Sequence, residues 1–181
     1  VGPAGAVVVL HQLAFALVQL HAVVARGADK GVRALSDFFT ASQYLVGGHI
    51  FSLDEIEHGL LRVNAPRLRV GARPMPRADP RQKLAPFMFD ERVHFALYSA
   101  CRSSPAPAAY TAAGLQTELE DATRAYLART VHLENDGATL VVPKQFDWYG
   151  ADFGGGVWDL LARGPTATRE RRAIATTLGP I

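Results

Sequence analysis

With one cysteine, Cys101, in 181 residues, no disulfide can form within the chain, and disulfide-stapled scaffolds are excluded. The same scarcity fits a reducing compartment, so an intracellular, cytoplasmic setting is expected. No C-x-x-C or H-x-x-x-H spacing occurs among the cysteine and the six histidines, and no metal or other cofactor is expected. No G-x-S-x-G nucleophile turn is present either. Charge of one sign is also lacking: 19 basic residues face 17 acidic ones, a net +2. That balance is too small to hold nucleic acid, and the one basic stretch has no interleaved aromatics. Long apolar runs are limited to one, Gly5 to Ala25. It has the length of a bilayer span but carries His11, Gln12, Gln19 and His21, which are costly at that depth. A buried helix of a soluble core is the expectation, with no membrane span.

What is present belongs to an ordinary globule: 49% apolar and 20% charged residues. The length suits one domain, residues 1–181, with no internal repeat and no interdomain linker. Because the chain starts at Val1 without an initiator Met, it is expected to be a fragment of a larger protein.

Val7 to Ala25 is apolar nearly all round and predicts a helix covered by other elements, ended by Arg26-Gly27. His11 and His21, ten residues apart, should point the same way. A second helix is expected over about Asp29 to Phe39. Tyr44 to Phe51 reads as a strand interrupted at Gly47-Gly48. Ser52 and Glu55 form a capping box that opens a helix to Arg62, with Leu53, Ile56 and Leu60 on its buried stripe. Glu57 and His58 then lie on other faces, available for polar work.

Val63 to Pro86 holds five prolines and a run of cations (Arg67, Arg69, Arg73, Arg77, Arg81, Lys83), and reads as a solvated surface loop or an anion-binding one. The organising stretch is Val93 to Thr111. An apolar strand, Val93 to Leu97, leads into a small-residue loop, Ser99 to Ser104, and Tyr110-Thr111 opens a helix reaching about Arg129. Strand, flexible loop, then helix start is a common way to present backbone N–H groups to a ligand. Val131 to Pro143 predicts a hairpin around Asp136-Gly137. A short helix, Phe146 to Phe153, and a last helical pair, Val157 to Ala162 and Thr166 to Leu178, close the chain. The fold class is therefore α+β, a mainly helical single domain with a small antiparallel or mixed sheet that includes the hairpin of the C-terminal half.

Four segments in order, Gly47–Arg62 (GGHIFSLDEIEHGLLR), Asp79–Pro86 (DPRQKLAP), Val93–Thr111 (VHFALYSACRSSPAPAAYT) and Val141–Phe153 (VVPKQFDWYGADF), resemble the domain of unknown function 547 family, its plant and protist members most. The resemblance divides the chain into divergent N-terminal helices (1–46), a family-like core (47–153) and C-terminal helices (154–181). It departs at the first helix, where the family's Phe-Trp-x-Asn-x-Tyr-Asn-Ala places His11 at the Trp position, Leu13 and Ala16 at the Asn positions and Phe15 at the Tyr position. Ser99 and Ser104 stand where many bacterial members have two cysteines, so Cys101 inherits no role. Members are often joined to other modules, which implies a recognition or scaffold module inside a multidomain protein, with a partner protein.

Two functional classes remain. The first is recognition of a protein or small anion by Glu57, His58, Arg62, Ser99, Arg102 and Ser103. The second is a hydrolase in which Cys101, Ser103 or Ser104 is the nucleophile and His58 or His94 the base, oriented by Glu57 or Asp147.

Overall fold

Ser52 and Glu55 make the reciprocal cap that their spacing predicts. The Ser52 amide donates to Glu55 Oε2 at 2.9 Å and the Glu55 amide donates to Ser52 Oγ at 3.1 Å. The computed structural model in which this cap is seen describes residues 3–28, 31–67, 71–101, 103–135, 139–154 and 160–161. Downstream of the cap the backbone takes a wider turn than an α-helix. Residues Glu55–Leu61 form a π-helix, with the Arg62 amide donating to Glu57 O and the Asn64 amide to Gly59 O, each five residues back. Leu53, Ile56 and Leu60 are fully buried, as the stripe requires. The end of the buried Met75 side chain packs against Gly59, in space that a Cβ there would take.

The first helix, α1, runs Pro3–Ala25, and Gly27 with φ +60° follows it. It is not covered all round. Phe15 and Ala22 pack inward, and so do His11, Gln12 and Gln19. Leu10, Leu13, Leu17, Leu20 and Val24 face outward, with Leu17 58% and Val24 82% exposed. Residues 6–25 are long and apolar enough to cross a membrane, a property shared with core helices of soluble proteins. His11 and His21 diverge: His11 is buried, whereas His21 is exposed and its Nδ1 lies 3.0 Å from Tyr44 Oη.

The expected second helix is instead a 3-10 turn, Val32–Ala34, and a short α2, Phe38–Ala41. The strand expected over Tyr44 to Phe51 is a complete hairpin. Its strands β1 (Gln43–Val46) and β2 (His49–Ser52) pair antiparallel from Gln43↔Ser52 to Val46↔His49. Gly47 and Gly48 are its turn, both at positive φ as a tight hairpin turn demands. The two glycines that looked like an interruption are the reversal.

Val93–Ala96 is a helical turn, α3, not a strand. Its β-branched and aromatic composition suits either state; what decides is packing against α4 (Leu115–Thr130). Thr111 does not cap α4, whose N-cap is Gly114. The Thr111 hydroxyl instead accepts from the Gly114 amide at 3.0 Å and donates to Glu118 at 2.8 Å. β3 (His132–Glu134) and β4 (Thr139–Val141) form the predicted second hairpin, a separate two-stranded sheet, so no single sheet unites the strands. Residues 136–138 lie outside the described residues. The expected C-terminal pair lies outside them too, except Leu160 and Leu161. The segment 146–153 is α5 (Gln145–Trp148) followed by a 3-10 turn, Gly150–Phe153.

Two apolar clusters result. One gathers Phe15, Phe38, Phe51, Leu53, Ile56, Leu60 and Leu119. The other gathers Phe95, Tyr126, Leu127, Phe146, Phe153 and Leu160. Burial of these side chains, at about 1.5–3 kcal/mol each, is the main term holding the fold. α3 sends Val93 to the first cluster and Phe95 to the second. His94, between them in sequence, is left at the seam.

Three cations of the basic segment are tied down rather than free. Arg67 pairs with Asp54, Arg73 donates to Asn64 O, and Arg81 binds Asp79, Glu55 and Ile50 O. Asn64 holds the Met75 backbone at both its N–H and its C=O.

Candidate functional site

The π-helix places Glu57, His58 and Arg62 where they meet residues from two later segments. Arg62 is buried, and its Nε donates to Asp152 Oδ2 at 2.6 Å. Its Nη1 donates to Pro66 O at 2.8 Å and to His58 Nδ1 at 3.0 Å. A guanidinium only donates, so His58 Nδ1 is the unprotonated nitrogen. The same Asp152 oxygen lies 2.8 Å from His94 Nε2. The ion pair with Arg62 and the bond from His94 hold the Asp152 carboxyl below the usual carboxylate range despite its burial, so it accepts and His94 Nε2–H donates. Tyr149 stacks on the His94 ring at 4.3 Å and 9°, takes the Arg62 guanidinium over its face at 4.4 Å, and donates its hydroxyl to Glu57 Oε1 at 3.3 Å. Positive charge on a ring face and a hydroxyl bond on its edge lock this tyrosine in one orientation.

Burial governs the titration of the cluster. The His58 pKa falls to about 3 through desolvation and the nearby Arg62 charge. That of His94 is also lowered, by desolvation against the pull of Asp152. Both imidazoles are neutral near pH 7. Burial pushes the Glu57 carboxyl up, partly offset by His94 and Arg62, and burial with Glu57 beside it pushes the Tyr149 phenol up. The positive charges are already answered, Arg62 by Asp152 and Arg67 by Asp54 at 2.5 Å. Glu57 is the carboxyl with no cation of its own among the described residues.

This cluster forms one wall of an open cavity of about 270 Å³. Asp54, Glu57, His58, His94, Ser99, Cys101, Gln145, Trp148 and Tyr149 line it, with Val32, Phe39 and Leu97 as its apolar part. The loop of the organising stretch lines the cavity with Ser99 and Cys101, on either side of Ala100, whose φ of +51° lies in the left-handed region. A second cavity, about 430 Å³, adjoins it and shares Ser99, Cys101, Gln145 and Trp148.

The serine-rich loop and the acid-and-imidazole helix therefore do lie side by side. Glu57, His58, His94, Ser99 and Cys101 meet at the first cavity, and Ser103 lines the second. Ser104 is buried and holds the loop itself: its hydroxyl donates to Cys101 O at 2.7 Å and accepts from the Cys101 amide at 3.2 Å. Arg62 lies behind the wall with its charge used by Asp152. Arg102 lies outside the described residues. The Cys101 thiol is hydrogen-bonded to neither histidine. Asp147, a sequence candidate for orienting an imidazole, is exposed and not part of the cluster. Asp152 takes that place, and Tyr149 completes it. Neither was singled out from sequence; the signal that could have found them was their place in a segment already noted, Val141–Phe153, two polar groups among buried aromatics. Among the described residues no group of three or more His, Cys, Asp or Glu side chains is arranged to hold a metal ion.

A family model described as "Protein of unknown function, DUF547" matches residues 14–127, more than half of the chain. The match begins inside α1, upstream of the segments that carried the resemblance, and ends before β3. Glu57, His58, Arg62, His94, Ser99 and Cys101 fall within it; Gln145, Trp148, Tyr149 and Asp152 fall beyond it. No curated protein and no solved structure matches the chain.

Proposed function

The chain belongs to the DUF547 family, and from that premise we propose that it is a recognition module, carried in a larger protein, that seats a small polar ligand in the cavity walled by Glu57, His94 and Tyr149. One observation carries this reading. Ionisable side chains from three separate segments are buried, displaced from their ordinary pKa values and fixed in mutual contact, and they open onto a cavity edged by aromatic rings. Strained titration of this kind costs stability, and clefts that gather it are where binding and chemistry concentrate.

The test is a thermal-shift screen of polar metabolites against the whole chain, repeated on Trp148→Ala and on a surface control, Lys83→Ala. A ligand in the cavity raises Tm saturably, loses at least tenfold in affinity in Trp148→Ala and is unchanged in Lys83→Ala. Shifts that ignore Trp148, or no saturable shift at all, would overturn the reading.

A thiol-dependent hydrolase is the second reading. It is favoured by His94 being oriented by Asp152 at 2.8 Å while Cys101 lines the same cavity. Against it stands the lack of any bond between the thiol and either imidazole. If it is right, iodoacetamide labels Cys101 faster in the unaltered protein than in His94→Ala; equal rates remove it.

A further inference from the structure

The two adjoining cavities differ in the charge they present. The first is lined by Glu57. Its Oε1 takes the Tyr149 hydroxyl at 3.3 Å, and Oε2 accepts no hydrogen bond from the described residues. The neighbouring cations are paired with Asp152 and Asp54. His94 lines the same cavity, and with its proton on Nε2 and directed to Asp152 its Nδ1 is unprotonated. The Glu57 side of the cavity is short of positive charge.

The second cavity is lined by Arg129 and Lys144, neither of which lines the first. Arg129 is held against the wall by the Ser104 carbonyl at 3.1 Å and lies over the Tyr126 ring at 5.5 Å. Neither cation has an acidic partner among the described residues: Glu134, five residues after Arg129, is taken by His132 at 3.2 Å, and Asp147, three after Lys144, is exposed. Four residues line both cavities and so mark their junction: Trp148, Gln145, Ser99 and Cys101. The Gln145 amide gives one N–H to Tyr126 Oη at 2.9 Å, which leaves its second N–H and its carbonyl to match a peptide group in both directions.

We propose that the two cavities act as one bipolar trough for a short peptide or a similar linear zwitterion, its ammonium group at Glu57 and its carboxylate at Arg129 and Lys144. This rests on the reading of the first cavity as a ligand seat and names the chemistry of what sits there. Opposed charges at the two ends fix orientation as well as affinity, since the reversed ligand meets like charge twice. An ammonium group also supplies the counter-charge that a buried Glu57 carboxylate lacks.

Calorimetric titration of the unaltered chain with alanine peptides of one to four residues tests it, each peptide free, N-acetylated or C-amidated. One length should bind as the free zwitterion and lose at least tenfold on blocking either end. Glu57→Gln should remove the penalty for acetylation only, and Arg129→Gln combined with Lys144→Gln the penalty for amidation only. Capped and free peptides binding alike would overturn the proposal, and so would both sets of substitutions acting on the same cap. If peptides fail while another compound binds in a Trp148-dependent way, the trough is refuted and the ligand seat stands. If nothing saturates, both fall. The capping series needs no variant, so it remains decisive if a substitution impairs folding.

Discussion

Behind the first cavity, Arg62, Asp152, His94, His58 and Tyr149 are withdrawn from water with their polar atoms joined to one another. In α1, His11, Gln12 and Gln19 are equally withdrawn, yet His11 Nδ1 and both amide groups find no partner among the described residues. Apart from the His58–Arg62 bond, four residues apart, the first set is joined by contacts 58 to 92 residues apart in sequence. The second belongs to one helix that turns its polar face inward and its leucines outward. Burial of polarity is thus not one phenomenon in this molecule. Where partners converge it fixes a geometry; where they do not it is a cost of at least about 1 kcal/mol per group.

The comparison is broken most severely by removing the cation at its centre. Arg62→Ala leaves Asp152 buried without its counter-ion and should cost about 3–5 kcal/mol, read by urea unfolding. A cost under about 1 kcal/mol would mean that the network is solvated and not closed.

Acid titration comes next. Desolvation lowers the pKa of folded His11 to about 4 from 6.5. As pH falls below 6.5 the unfolded chain takes up a proton that the folded one refuses, so stability drops until the folded pKa is reached and then levels off. His58 extends the same loss to about pH 3, and His94 acts in the same sense. Glu57 works the other way, its raised pKa favouring the folded state as pH falls toward the ordinary carboxylate range. His11→Leu should flatten the slope between pH 6.5 and 4, by at most about 1.4 kcal/mol per pH unit, and an unchanged slope would show that His11 is hydrated.

Gln19→Leu should move in the opposite direction to Arg62→Ala. Removing an orphaned amide should stabilise by about 1–2 kcal/mol in the same unfolding assay, whereas destabilisation would reveal a partner. Smallest is Tyr149→Phe, which deletes only the hydroxyl bond to Glu57, costs about 1 kcal/mol and leaves the stacked ring in place.

Local signals were readable in the chain and distant ones were not. The Ser52–Glu55 cap, the buried stripe after it, α4 and the β3–β4 hairpin follow from spacings within a few residues. The same locality misled at Val93–Ala96, where apolar composition alone fits strand or helix, and at Gly47-Gly48, where a turn passed for a flaw. His94 was legible as a polar group in an apolar run, and Glu57 and His58 as polar groups off the buried stripe, though not as buried ones. Asp152 was not, because its meaning comes from Arg62 ninety residues earlier, and no periodicity records such a pairing. The outward leucines of α1 escaped for a related reason: a helix apolar on every side does not say which side will be covered.

The shared Asp152 oxygen also bears on how the chain reaches this state. Its two bonds close loops of 90 and 58 residues, and such closures are slow because chain entropy is lost before any contact returns it. The hairpins and α4 can assemble from neighbours long before that. Fluorescence of Trp148 and Tyr149 should therefore trail far-ultraviolet circular dichroism during refolding, which makes the cavity the last part of the molecule to mature and a direct gauge of whether a refolded sample has finished.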